Sequence, residues 1–252
     1  MHTVLLIGAG GGMGSACARA LLRDGVRVFG MDRETAVMPE GVEPFFANVT
    51  DAAAIEAAFA AVSARTASID AIVYAAGIYE ADSLVEIEEA RMQRIFEINV
   101  FGAYRVIKTF LPLMHAGSRT VLVTSELADL DPLPFTGLYG ITKSTLDRYA
   151  FSLAMELQLL GIHVSVIRPG AVETPLLDGS VKSIEAFTNR TALYPHVAAK
   201  FLRVTNAVEA KAVPPEKVAK KVRTVLYTKH PRFAYSLNRN PLLRPYFSIA
   251  SS

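Results

Sequence analysis

Cysteine is nearly absent from this 252-residue chain and tryptophan is missing altogether. The single thiol, Cys17, has no partner for an internal disulfide, which excludes a small disulfide-stapled scaffold and points to a reducing compartment, the cytoplasm. Five histidines scattered without ligand spacing give no Cys/His metal pattern, so no metal is expected. An excess of one charge is lacking too: 26 Lys and Arg against 24 Asp and Glu leave +2, too little to predict a nucleic-acid or anionic-membrane partner. No apolar run approaches the roughly 20 residues of a membrane span. The run at 4–7 stops at a glycine cluster, too short for a signal-peptide core. With no linker, low-complexity tract or repeat to divide it, the chain reads as one domain over 1–252.

Apolar residues are plentiful, at 51% against 20% charged, so a core can form and disorder is excluded. The positive mean hydropathy leaves apolar surface for a lipophilic pocket or a contact between copies, and a homo-oligomer is expected.

Short β-branched or aromatic runs at 3–7, 27–31, 43–46, 71–74, 120–124, 163–167 and 233–237 predict strands. Between them, helical periods cover 14–23, 52–64, 88–114 with a break near Asn99, 139–160 and 215–227. Strand–helix alternation of this kind predicts an α/β fold, Rossmann-like and doubly wound, with a seven-stranded parallel sheet flanked by helices. The stretch from Gly170 to Pro214 turns helical without a clear strand; its segment 176–206 is expected to be a lid over a pocket.

The first strand runs directly into Gly8-Ala-Gly-Gly-Gly-Met-Gly14 and then into helical composition. In that context glycines let a pyrophosphate approach the backbone, while N–H groups at the helix start face the phosphates. Asp32, ending the second strand about 20 residues past the turn, is placed to accept hydrogen bonds from an adenosine ribose and to repel a 2′-phosphate. Arg33 beside it is placed to bind that phosphate instead. NAD(H) is therefore the preferred cofactor, with NADP(H) kept as the alternative.

Tyr139 and Lys143 stand four apart on one face of a long helix. A phenol titrating near 10 needs a neighbouring positive charge to exchange a proton at neutral pH, and Lys143 can supply it. Ser125 follows the fifth strand, at the sheet end where ligands sit in parallel α/β folds. Asn99 is an amide within an apolar helical run, readable as catalytic or as a satisfied core group.

Together these residues resemble the short-chain dehydrogenase/reductase family, in order and over nearly the whole chain. Gly8, Gly12 and Gly14 match its G-x-x-x-G-x-G turn, with Met13 between them. The resemblance implies Tyr139 as catalytic acid/base and Lys143 lowering its pKa while binding the nicotinamide ribose. It implies Ser125 positioning the reacting oxygen, and Asn99 holding a helix irregularity and a water. Pro169, Gly170, Val172 and Thr174 match a segment contacting the nicotinamide; Asn48 and Val49 fall at the adenine, and Ala75, Ala76 and Gly77 beside the ribose.

Departures are visible too. Ile7 removes a hydroxyl, Tyr74-Ala-Ala-Gly77 lacks the amides that usually brace the sheet, and Asn48 replaces an aspartate. Ser125 lies 14 residues before Tyr139, one more than the commonest spacing, with Glu126 at the alternative position. Thr124-Ser-Glu126, Pro132-Leu-Pro-Phe135 and the tail 235–243 resemble the steroid- and retinol-type dehydrogenases of the family.

The expected activity is hydride transfer between a lipophilic secondary alcohol or ketone and NAD(H). An NADPH-dependent carbonyl or 3-oxoacyl reductase and a non-catalytic dinucleotide sensor remain as alternatives. The pocket is expected to be lined by residues after Ser125, around Tyr79 and from 176–206. The resemblance favours tetramers packed through the two long helices, with a dimer as the other possibility.

Overall fold

The structure is a computed structural model, and it describes residues 1–130, 133–209 and 211–237. Seven strands, β1 (Thr3–Ile7), β2 (Arg27–Asp32), β3 (Glu43–Phe46), β4 (Ala71–Tyr74), β5 (Arg119–Val123), β6 (His163–Pro169) and β7 (Ala234–Leu237), form one sheet in the order β3-β2-β1-β4-β5-β6-β7. Every pairing is parallel. The expected seven-stranded, doubly wound sheet is what forms.

Successive side chains of a strand point to opposite faces, and here both faces are covered. Leu5, Ile7, Phe29, Met31, Ile72 and Tyr74 enter one core, against α2 (Ala52–Ser63), α4 (Gly102–Phe110) and α5 (Gly137–Leu157). Val4, Leu6, Val28, Ala71 and Val73 enter the other, against α1 (Gly12–Arg23) and α8 (Pro215–Tyr227). Leu5, Leu6 and Ile7 are buried almost completely, each stabilising the fold by about 1.5–3 kcal/mol relative to exposure. Double burial is why the strands read as unbroken apolar runs.

β1 continues to β2 on one side and neighbours β4 on the other, so a crevice opens beyond their carboxyl ends at the point where the winding reverses. The expected helix over 88–114 resolves into α3 (Glu89–Phe96), a π-helical turn over Glu97–Phe101, α4 and a 3-10 turn over Leu111–Leu113. The π turn contains Asn99, where the break was expected. The segment after β6 holds two helices, α6 (Pro175–Arg190) and α7 (Pro195–Glu209). Among the described residues its strand-like contact is one parallel bridge, Val172 to Val213. Among the described residues no helix is long and apolar enough to cross a membrane. Pro132 and residues 238–243, which carried part of the steroid-type likeness, lie outside the described residues.

Candidate active site

Gly8 adopts φ +80° where β1 ends, a left-handed turn that reverses the chain into α1. A Cβ on Gly14 would lie 1.9 Å from the Gly8 carbonyl oxygen, and one on Gly12 would lie 2.6 Å from Thr174 Cγ2. Hydrogen at these positions is a packing requirement, and it leaves the first turn of α1 bare toward the crevice. Gly10 N–H donates to Asp32 Oδ2 at 2.9 Å, fixing the carboxylate at the edge of the turn. Arg33 is exposed next to it and forms no ion pair with a described residue.

These residues line a groove of about 500 Å³, together with Asn48, Val49, Ala75, Ala76 and Gly77. A bare glycine cradle at a helix start, a carboxylate one strand away and an elongated groove fit a dinucleotide. Asn48 uses its side-chain oxygen to accept from Thr50 N–H at 3.2 Å, a local turn that shapes the groove wall. Met13, Ala75, Gly77, Thr174 and Leu176 also border a second cavity of about 150 Å³.

Ser125, Tyr139 and Lys143 line that second cavity. Ser125 leaves β5 in extended conformation, accepts from Leu127 N–H at 3.2 Å and lies beside the Tyr139 hydroxyl. The Tyr139 ring packs on Tyr79 at 4.8 Å between centroids. Lys143 Nζ donates to the Val123 carbonyl at 3.3 Å and lies 5.6 Å from the Tyr139 ring centroid. Burial pushes the Tyr139 phenol up to about 12, with the neighbouring Ser125 hydroxyl pulling the other way. It pulls the Lys143 ammonium down to about 8. In the protein alone, loss of hydration destabilises both charged forms.

Asn99 is fully buried and fully bonded: its Oδ1 accepts from Ile78 N–H at 2.8 Å, and its Nδ2 donates to Ile78 O at 2.9 Å and Thr142 Oγ1 at 3.1 Å. The π turn and the loop after β4 are thus clamped together beside Gly77. The amides are absent at residues 74–77, as the sequence reads. The buried Tyr74 hydroxyl donates to the Ile98 carbonyl at 3.0 Å, tying β4 to the π turn by another route. Gly102 leaves the room, since a Cβ there would lie 2.7 Å from that hydroxyl.

Sequence reasoning missed the support behind Ser125. Asp147, four residues beyond Lys143 on the same helix face, holds Arg168 through bonds of 2.9 and 2.6 Å and lies 3.2 Å from Thr124 Oγ1. Continuing the spacing Tyr139, Lys143, Asp147 would have revealed it. Tyr79, Glu126, Leu127, Leu176, Leu177, Ser180 and Thr205 line the cavity where pocket residues were expected, and Thr136 joins them. Pro169, Gly170 and Val172 close its floor.

Helix α6 is fastened from below. Asp82 pairs with Arg91 of α3 and with Arg190 of α6, and Phe135, at φ +64°, stacks against Phe187 and Phe201 of the two helices. Among the described residues no group of three His, Cys, Asp or Glu is arranged to hold a metal.

A fold of this winding, with a dinucleotide groove opening onto a buried Ser–Tyr–Lys cluster, defines an NAD(P)-dependent oxidoreductase acting on CH–OH groups. The chain belongs to the short chain dehydrogenase family, whose profile matches residues 2–184. It is 30% identical over 223 residues to human 17-beta-hydroxysteroid dehydrogenase type 1, covering 86% of this chain and 67% of that protein. It is 23% identical to the 3-ketodihydrosphingosine reductase of Bacteroides thetaiotaomicron, over 99% and 91% of the two chains. A solved structure of a point variant of actinorhodin polyketide ketoreductase with NADPH superposes with a TM-score of 0.77 at 25% identity, over 93% and 95% of the chains.

Proposed function

We propose that this enzyme interconverts a lipophilic secondary alcohol and its ketone with NAD(H), using Tyr139 as acid and base. The reading rests on one observation: Ser125, Tyr139 and Lys143 come together on the wall of a largely apolar cavity that adjoins the dinucleotide groove. NAD(H) when bound takes or returns the hydride. The chain's own residues handle the oxygen. Ser125 hydrogen-bonds it, Tyr139 holds or receives its proton, and Lys143, with an ammonium that titrates near 8 and so persists at neutral pH, favours the phenolate needed for alcohol oxidation. In the ketone direction the phenol, held protonated by burial, is ready to donate. Gly8, Gly12, Met13 and Gly14 would cradle the pyrophosphate, Asp32 the adenosine ribose, Asn48 and Val49 the adenine, and Val172 and Thr174 the nicotinamide.

Asp32 supports NAD(H), because its fixed carboxylate repels a 2′-phosphate. Arg33, exposed on the same groove, favours the second reading, an NADPH-dependent carbonyl reductase. Association of copies belongs to the first reading as well: Phe101 and Tyr104 near the start of α4 and Phe151 and Met155 on α5 are apolar and exposed. A cytoplasmic location suits Cys17, which is buried with its thiol pushed up to about 12 and so stays protonated and unreactive.

The test is parallel titration with NADH and NADPH, followed by turnover on a panel of secondary alcohols with the wild type and Tyr139→Phe. Tighter NADH binding and a loss of at least about a thousandfold in kcat for the variant, with NADH affinity within threefold, are expected. A clear NADPH preference moves the assignment to the reductase. Tight nucleotide binding without turnover revives the sensor, and a variant active within a few-fold removes Tyr139 from the chemistry.

A further inference from the structure

Behind the cavity, three chain segments meet at one carboxylate. Asp147 of α5 is only 7% exposed and lies outside the cavity wall. Its oxygens accept from Arg168 Nε at 2.9 Å and from Nη2 at 2.6 Å, a fork that fixes the guanidinium in orientation as well as position. Thr124 Oγ1 lies 3.2 Å from the same carboxylate and 3.3 Å from the Ile167 carbonyl. Arg168 Nη1 continues to Asp129 Oδ2 at 3.3 Å.

Each of these contacts is a short step along the chain from a ligand-facing group. Thr124 precedes Ser125, Arg168 precedes Pro169 and Gly170 on the cavity floor, and Asp129 closes the turn whose Leu127 N–H bonds Ser125. The register of β5 on β6 ends at Val123 and Ile167, and Thr124 N–H adds one bond of 2.8 Å to the Ile167 carbonyl. Beyond it, the side chains of Thr124 and Arg168, joined through Asp147, hold the two strand ends to one another. Attachment of α5 to the sheet does not need this pair, because Leu146, Ala150 and Leu157 already share a buried core with Leu122, Val164 and Val166. The pair stands instead at the carboxyl end of the strands, where ligands bind in parallel sheets.

We propose that Asp147 is a positioning residue for the reaction: through Thr124 and Arg168 it sets the distance between Ser125, which holds the reacting oxygen, and the segment from Pro169 to Thr174, against which the nicotinamide lies. The inference rests on the alcohol–ketone reading above and adds to it a residue that touches neither substrate nor cofactor. Proton transfer stays with Tyr139.

The test compares wild type with Asp147→Leu, Asp147→Asn, Arg168→Lys and the paired variant Asp147→Leu with Arg168→Leu. Each is assayed well below its unfolding temperature. Measured are kcat and KM for a secondary alcohol that the wild type oxidises, the isotope effect of deuterium on its carbinol carbon, and calorimetric Kd for NADH and for ADP-ribose. A displacement of about 1 Å costs about 100-fold in rate, so kcat of Asp147→Leu should fall about 30- to 100-fold, with KM within about threefold and a larger isotope effect. ADP-ribose, which lacks the nicotinamide, should keep its Kd within about twofold while NADH weakens at least about threefold. Asp147→Asn and Arg168→Lys each keep part of the fork and should lose less than about tenfold in kcat. The paired variant leaves neither partner buried alone, so its unfolding temperature should return toward that of the wild type while kcat stays low.

Recovery of kcat together with stability in the paired variant would mean that Asp147 serves the fold alone, and the proposal would fall. It would fall equally if folded Asp147→Leu kept kcat within about threefold of wild type, or if NADH and ADP-ribose weakened to the same extent. Should Asp147→Leu alone fail to fold, Asp147→Asn and the paired variant carry the same comparison. A wild type that oxidises no alcohol overturns the reading beneath the proposal instead. In that case a selective loss of NADH affinity still supports Asp147 as the residue that holds the nicotinamide segment, and equal losses remove it.

Discussion

The groove and the cavity that meet at Gly77 are made of different materials. On the nucleotide side the turn is main chain packed without room: a Cβ on Gly8 or Gly14 would meet backbone and one on Gly12 would meet Thr174, while Gly10 N–H fixes Asp32. On the substrate side the walls are side chains from distant stretches, Tyr79, Glu126, Leu177 and Thr205, brought together by α5, α6 and α7. A backbone-built site tolerates almost no added atom, whereas a side-chain-built site changes its specificity by exchanging residues. That division lets one fold keep its cofactor while its substrates vary.

The sharpest way to break the comparison is to make the same substitution in the glycine turn and in α6, the helix that carries Leu176, Leu177 and Ser180 of the substrate wall. Gly14→Ala puts a methyl 1.9 Å from the Gly8 carbonyl, where only backbone can yield. It should cost at least about 3 kcal/mol of stability and take NADH binding below detection. Gly179→Ala, inside α6, is exposed with nothing within 4 Å of the new Cβ. There the change should stabilise by about 0.5–1 kcal/mol, the ordinary helix preference for alanine. Thermal unfolding with and without NADH reads both; opposite signs support the division, and equal tolerance would end it.

A second test concerns Lys143, at the junction of the two sites. Its folded-state pKa, about 8, lies below the ordinary value of 10.5. Between those values the unfolded chain binds a proton that the folded chain does not, so stability rises with pH across that window and the contribution is absent below it. Lys143→Met removes this dependence while other titrating groups, Tyr139 and Cys17 included, cancel in the comparison. Denaturant unfolding at pH 7.5 and pH 10.5 should show the wild type gaining about 3 kcal/mol relative to the variant. A difference that stays flat would mean the ammonium is hydrated in the folded protein.

What was legible in the sequence follows the same division. The glycine turn, Asp32 and the Tyr139–Lys143 pair were readable because backbone sterics and helical periodicity act within a few residues. The seven strands were readable because double burial writes an unbroken apolar run. The supporting contacts were not: Asp147 meets Arg168 across 21 residues, and Arg190 meets Asp82 across 108. Pairings of that span depend on how α5 and α6 lie on the sheet, which no local pattern encodes. The effect of burial on Tyr139 was not legible for a related reason. Counting a nearby charge needs only spacing, whereas desolvation depends on everything packed around the ring, Tyr79 included.

A subtler test concerns Tyr74, which lies between the two kinds of wall. It comes from the central sheet, yet its hydroxyl reaches the Ile98 carbonyl, whose neighbour Asn99 grips both polar atoms of Ile78. Tyr74→Phe keeps the ring and its packing and removes one donor, leaving a carbonyl in a buried turn without its partner, at a cost of about 1–2 kcal/mol. If the turn serves only the fold, that loss of stability is all that follows, and kcat and NADH affinity stay at their wild-type values. If it positions Ile78 and Gly77 beside Lys143, kcat should fall about three- to tenfold and its pH profile should shift, while the Kd for NADH stays within twofold. The kcat-against-Kd split therefore decides whether the sheet at Tyr74 reaches across to the chemistry or stops at the nucleotide.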